Sequence, residues 1–102
     1  MPEEVENLKT SQSRAMLAAD MLRAIAHPSR LRILALLCER EEHVSALAEL
    51  LGLKQAIISQ QLRILRSQRL VEVKRENGFS YYGLAEPRLK EFIRCVEGCT
   101  GH

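Results

Sequence analysis

Cys95 and Cys99, four residues apart near the end of the chain, are the side chains best suited to chemistry. On a helix, an i, i+4 pair shares one face, with Cβ atoms about 5–6 Å apart. A disulfide needs Cβ atoms about 3.5–4.5 Å apart, so this pair closes one only if the helix unwinds. Two thiolates at that spacing can instead converge on one soft metal ion or metalloid. His102 stands about one turn further on, but Gly98 and Gly101 predict that the helix fades first. Glu91 precedes Cys95 by one turn and no cation does, so nothing predicts a depressed thiol pKa. Capture of a thiophilic species is therefore favoured over pure redox sensing. The plain alternative is packing, since a free cysteine behaves as a small hydrophobe. It weighs most for Cys38, far off in sequence.

A second kind of chemistry lies in residues 45–66, SALAELLGLKQAIISQQLRILR. Gln55, Ser59, Gln60, Arg63 and Arg66 fall on the polar side of one helix, with no acid among them. Amide and guanidinium groups of this kind read base edges in a DNA major groove. Ile58, Leu62 and Leu65 recur at i, i+4, i+7 on the opposite side and predict its buried face. A shorter helix precedes it, with Ser45 as a candidate N-cap and Leu47, Leu50 and Leu51 as an apolar stripe. Gly52 supplies the turn between them, where a positive φ is needed. The pair reads as a helix-turn-helix, or as a helical hairpin with a solvated polar face. The charge distribution bears on that choice. Between residues 54 and 75, Lys54, Arg63, Arg66, Arg69, Lys74 and Arg75 face a single acid, Glu72, whereas the whole chain carries only +2. Positive charge is thus gathered where phosphate contact would occur.

The elements that must position these residues can be read in order. Residues 1–10 are polar and acidic and are expected to fray. A first helix should begin near Thr10 or Ser11, carry Met16, Leu17, Met21, Leu22 and Ile25, and stop at His27-Pro28. Pro28 suits the first turn of a second helix, with His27 or the preceding turn as its cap. Leu31, Ile33, Leu34, Leu36 and Leu37 make that helix apolar on more than one side, so it should be central. It ends in Cys38 and the run Glu39-Arg40-Glu41-Glu42, expected to be a solvated loop. His43, expected near the surface, and Val44 could form a single bridge. After the helix-turn-helix, residues 70–75 and the stretch from Phe79 alternate with period two around Asn77-Gly78, a strong signal for a two-residue hairpin. A hairpin in that place is a wing, with Lys74 and Arg75 on the strand entering its tip and Tyr81 and Tyr82 packing at its base. Glu86-Pro87 opens a last helix bearing Leu89, Phe92, Ile93 and Val96.

The fold class is therefore mainly α with a small β-hairpin: one winged helix-turn-helix domain over residues 1–102. A chain of 102 residues buries a limited core, so a dimer interface is an expected supplement. Leu17, Met21, Phe92 and Val96 on the first and last helices are the apolar residues for it. No signal peptide and no apolar run long enough to span a membrane appear, which predicts a cytoplasmic protein without membrane contact. Three cysteines are an odd number and argue against a disulfide framework. No paired carboxylates, phosphate loop or nucleophile–base pair stands at a recognisable spacing, so an enzyme is not expected.

The runs HPSRLRILALL, VSALAELLGL and ISQQLRILRSQRLVEVKRENGFSYYGL resemble, in order and spacing, the ArsR/SmtB family of bacterial transcriptional repressors. The resemblance covers about residues 15–97. It implies a homodimer joined through the first and last helices, bound to a double-stranded operator with two-fold symmetry. It also implies release when a metal ion, a metalloid or an oxidant reaches cysteine, histidine or carboxylate ligands. Residue by residue, the family's recognition helix matches Gln55, Ala56, Ser59, Gln60 and Arg63. Three positions depart from the family pattern: Lys54 replaces a usual capping serine, Gln61 a frequent histidine, and Arg69 a common helix-ending glycine.

The family's Cys-x-Cys site on the helix before the turn is missing, because that helix reads VSALAELL; so is the Asp-x-His start of its last-helix site. The thiophilic site predicted here is Cys95 with Cys99. The family fold brings the second and last helices together, which makes Cys38 a possible third ligand. Two alternatives remain: an oxidant or persulfide sensor pairing Cys38 with a last-helix cysteine, and a constitutive DNA-binding module that senses nothing.

Overall fold

The structure is a computed structural model that describes residues 7–101. It contains α1 (Gln12–Ile25), α2 (Pro28–Leu37), α3 (Val44–Leu51), α4 (Gln55–Ser67), β1 (Val71–Glu76), β2 (Phe79–Leu84) and α5 (Leu89–Thr100). Residues 7–10 form a hydrogen-bonded turn ahead of α1, in which Asn7 Oδ1 accepts from Lys9 N and Thr10 N. The rest of the stretch expected to fray, residues 1–6, lies outside the described residues, as does His102.

Each helix begins for a local reason. Ser11 Oγ accepts from Arg14 N at 3.2 Å and caps α1. His27 caps α2 through Nδ1, which accepts from Ser29 N, and Pro28 follows in the first turn. At α3 the expected cap is displaced by two residues. His43 Nδ1 accepts from Ala46 N at 3.3 Å, and Ser45, already helical, places Oγ 2.7 Å from the same nitrogen. The reason lies just upstream. Glu42, rather than His43 with Val44, makes the bridge, pairing with Tyr82 beside the hairpin. That pairing fixes the strand end and leaves His43 as the first residue able to cap. Glu39–Arg40–Glu41–Glu42 is thus not simply a solvated loop, because its last residue is hydrogen-bonded to β2.

Two helices end in the same way. Leu53 N donates to Ala48 O and Gly52 N to Glu49 O, closing α3 over a left-handed Gly52 with φ 68°. Leu70 N donates to Leu65 O and Arg69 N to Arg66 O, closing α4 over Arg69 with φ 58°. The second closure imposes on arginine a conformation that suits glycine. The hairpin turns at Asn77 and Gly78, with φ of 51° and 81° and Glu76 opposite Phe79, as the twist of a two-residue loop requires.

The core gathers around α2. Ile33, Leu34 and Leu37 are buried against Leu47, against Ile58, Leu62 and Leu65 of α4, and against Leu89 and Ile93 of α5. Arg30 ties three elements together. Its Nε donates to the Ala24 carbonyl in the last turn of α1, and its Nη1 donates to Gln61 Oε1 of α4 at 2.8 Å. Arg32 Nη2 donates to Leu51 O and so ties α2 to the end of α3. Two expected stripes prove more open than their periodicity suggests. Leu50 is 51% exposed, and on α1 only Ile25 of the five apolar positions is buried, with Leu17 68% exposed. Helix α5 also runs further than expected. It passes through Gly98 to Thr100, and Gly101 N closes the last turn on Glu97 O.

Candidate nucleic-acid interface and the cysteines

Helix α4 is held on one side by Ile58, Leu62 and Leu65, all buried, and presents Lys54, Gln55, Ala56, Ser59, Gln60, Arg63 and Arg66 to solvent. At 3.6 residues per turn, Gln55, Ser59, Arg63 and Arg66 follow one line along the helix, with Ala56 and Gln60 beside it. A cleft of about 240 Å³ opens between α4 and the hairpin, lined by Ser59, Leu62, Arg63, Arg66 and Tyr82. The guanidinium groups of two successive turns therefore border the gap in front of the wing. The N-terminus of α4 has no side-chain cap, since Lys54 carries no acceptor.

The wing pairs Val71 with Leu84 and Val73 with Tyr82 on the side facing α4, and Arg75 with Ser80 at its outer end. Lys74 and Arg75 are both exposed. Lys74 Nζ lies 2.9 Å from Glu41 Oε2, and this hydrogen bond raises the lysine's pKa above its ordinary value. Tyr82 packs against the core, and Tyr81 meets the His43 ring edge-on, with centroids 5.8 Å apart. Both tyrosines thus serve the base of the wing.

Gln61 was legible as a departure from a pattern but not as a structural residue. It is 8% exposed and satisfied by Arg30. It falls three residues after Ile58 and four before Leu65, so helical spacing alone assigns it to the inner stripe. Nothing in the sequence marks Arg30 or Glu41 as their partners' partners, because those contacts join residues 31 and 33 positions apart.

Cys95 and Cys99 are both exposed on the unbroken α5, and Cys38 is half-buried at the end of α2. Burial pushes the Cys38 thiol pKa up; Lys90 and Arg94 pull it down, while Glu97 and Glu39 add to the rise. Those α5 neighbours lie on the side of the helix that turns towards α2. Cys95 lies roughly half a turn, and Cys99 about a third of a turn, round from the buried Ile93. Among the described residues, no three His, Cys, Asp or Glu side chains stand together as a metal site. Cys38 thus does not join Cys95 and Cys99 in a three-ligand group among the described residues.

A mainly helical domain with a basic helix beside a hairpin is a winged helix-turn-helix built to lie against duplex DNA. The arsR-family profile of bacterial regulatory proteins matches residues 27–73. A transcriptional repressor SmtB homolog of Synechocystis sp. is 40% identical over 84% of this chain, which spans 65% of that protein. The nodulation protein NolR of Rhizobium meliloti is 46% identical over 85% of this chain and 71% of its own length. In structure, a homodimeric winged helix-turn-helix DNA-binding domain from Mycobacterium bovis superposes with a TM-score of 0.80 at 28% identity, covering 97% of this chain and 90% of that one. The chain belongs to the ArsR/SmtB family of DNA-binding transcriptional regulators, which are not enzymes. No helix among the described residues is long and apolar enough to cross a membrane.

Proposed function

We propose that the chain is a single winged domain that pairs into a homodimer, represses transcription at an operator with two-fold symmetry, and is released by a thiol-directed effector. The observation that carries the DNA half is the uninterrupted polar and basic line of α4, with Gln55, Ser59, Gln60 and Arg63 presented on a helix whose other side is fully anchored. Lys54 and Ala56 flank that line, and on the wing Arg75 offers a phosphate contact, with Lys74 a second one only where its pairing with Glu41 yields. The relatives described as a repressor and as a homodimeric DNA-binding domain support the same assignment.

The effector half rests on Cys95 and Cys99. Their helix is continuous, so the i, i+4 spacing holds, and both thiols are open to solvent. Two thiols fill half of a four-coordinate shell. The pair suits a metalloid or soft ion that keeps ligands of its own or takes them from the second subunit. Cys38 as a third ligand, or as a redox partner, finds less support, because the two sites lie on different sides of α5.

Anisotropy titrations of a two-fold operator, with and without arsenite or a soft metal ion, test the proposal. The wild-type chain should be released. The Cys95→Ser/Cys99→Ser variant should bind like wild type and stay bound. Release of that variant would remove the α5 site. Loss of release only in Cys38→Ser would make the redox reading the better one.

A further inference from the structure

The ion pair between the wing and the loop ahead of α3 has a geometry of its own. Glu41 belongs to that loop and Lys74 to β1, and β2 lies between them. Glu42 N donates to Tyr82 O at 3.0 Å and Tyr82 N donates to Glu42 O at 2.7 Å. That antiparallel register sets Glu41 beside Gly83 on one flank of β2, while Glu72 stands beside Gly83 on the other. Lys74 is one row further along, opposite Tyr81. The Glu41 side chain must therefore cross Gly83 diagonally to reach Lys74. It does so in contact: a Cβ at position 83 would lie 3.0 Å from both Cγ and Oε2 of Glu41. A side chain at position 83 would require Glu41 to give by a few tenths of an ångström.

We propose that Glu41 competes with DNA for the wing, holding Lys74 across Gly83 and withholding that cation from phosphate. The inference rests on the reading of the hairpin as a DNA-contacting wing. Both side chains are about half exposed, at 55% and 49%, so the pair is weak and a phosphate oxygen can displace the carboxylate. Displacement leaves Glu41 unpaired near DNA, where it takes up a cation from solution. Any counterion that Lys74 releases from the duplex is then offset, and the wing gains little from this lysine. Without the carboxylate, Lys74 adds one full phosphate contact per wing.

The test is an anisotropy titration of the full chain on one duplex, from about 50 to 200 mM salt. Glu41→Gln should tighten binding about two- to five-fold at the lowest salt, the scale of a half-exposed ion pair. The slope of log K against log salt should steepen by about 0.9 for each wing engaged. In a Lys74→Gln background, Glu41→Gln should add nothing. Unchanged affinity and slope in Glu41→Gln would overturn the proposal. So would a gain that persists without Lys74, which would mean general relief of acidic repulsion. Arg75→Ala keeps the two readings apart. If it weakens binding to every duplex while Glu41→Gln changes nothing, the wing docks and only the competition is wrong; if it has no effect, the wing itself does not dock.

Discussion

Arg63 and Gln60 are exposed on the open face of α4, where the proposed DNA docking needs base-reading side chains, and Arg75 is exposed on β1, where it needs a phosphate contact. Their replacement by alanine should therefore separate by type. Arg63→Ala or Gln60→Ala should cost ~1–3 kcal/mol on the operator and relax base preference at one position. Arg75→Ala should weaken all duplexes alike and flatten the salt dependence. Competition titrations with operator and random duplex check both, and equal losses on the two duplexes for Arg63→Ala would place that residue on the backbone instead. Arg69 poses a different question, one of stability. Its φ of 58° closes α4 where glycine closes α3, and a side chain there carries a conformational cost. Arg69→Gly should raise stability by about 0.5–1 kcal/mol, less than the strain removed, because glycine also loosens the unfolded chain. Urea melts at fixed ionic strength measure it. A lower midpoint would mean that the guanidinium supplies more than its backbone costs.

At the scale of elements, what the sequence revealed followed from local rules. The hairpin was legible because Asn77-Gly78 is one of few dipeptides that accept two positive φ angles in succession. The inner stripe of α4 was legible from spacing alone, and His27 from the proline behind it. The misplaced features depend on distant partners. Ser45 has the better capping side chain, but the Glu42–Tyr82 bridge sets where α3 begins, and this gives the cap to His43. Gly98 costs a helix about 1 kcal/mol, yet the turns on either side hold, so α5 continues and both thiols are presented on it. The exposed side chains of α4 were thus readable almost residue by residue from spacing, whereas the α5 neighbours of Cys38 were not. Differential alkylation reports on those neighbours. Cys95 and Cys99 are exposed, whereas Cys38 is half-buried and its pKa is raised chiefly by desolvation. A raised thiol pKa keeps Cys38 protonated to higher pH than an ordinary cysteine, so its thiolate fraction, and its reaction rate, should rise only at the alkaline end. Peptide mapping after brief iodoacetamide treatment at pH 8 should find Cys38 the least labelled. Labelling of Cys38 ahead of the α5 pair would mean that Lys90 and Arg94 outweigh burial.

For the whole molecule, the decisive feature is apolar surface that one chain leaves uncovered. Met16, Leu17 and Leu22 of α1 are 62%, 68% and 44% exposed, and Phe92 of α5 is 37% exposed. Between the two helices runs a groove of about 240 Å³ lined by Met21, Ile25, Leu89 and Phe92, together with Glu86 and Arg88. Exposed apolar side chains beside such a groove suit an association site, and a two-fold pairing lets the surface cover its own copy. Leu17 is the sharpest probe, because it contributes exposed surface and no core. Leu17→Glu should leave each chain folded and yield monomers at micromolar concentration, by sedimentation equilibrium. The effect on DNA then follows from symmetry. An operator presents half-sites about 34–36 Å apart, and a dimer fills both with its two α4 helices held at a fixed separation. The monomer keeps its own half-site contacts and loses the second set. Operator affinity should fall by tenfold or more, whereas binding to a single half-site should barely change. A Leu17→Glu chain that stays dimeric would move the interface off α1. One that becomes monomeric but binds the full operator unchanged would mean that α4 reads DNA without two-fold help.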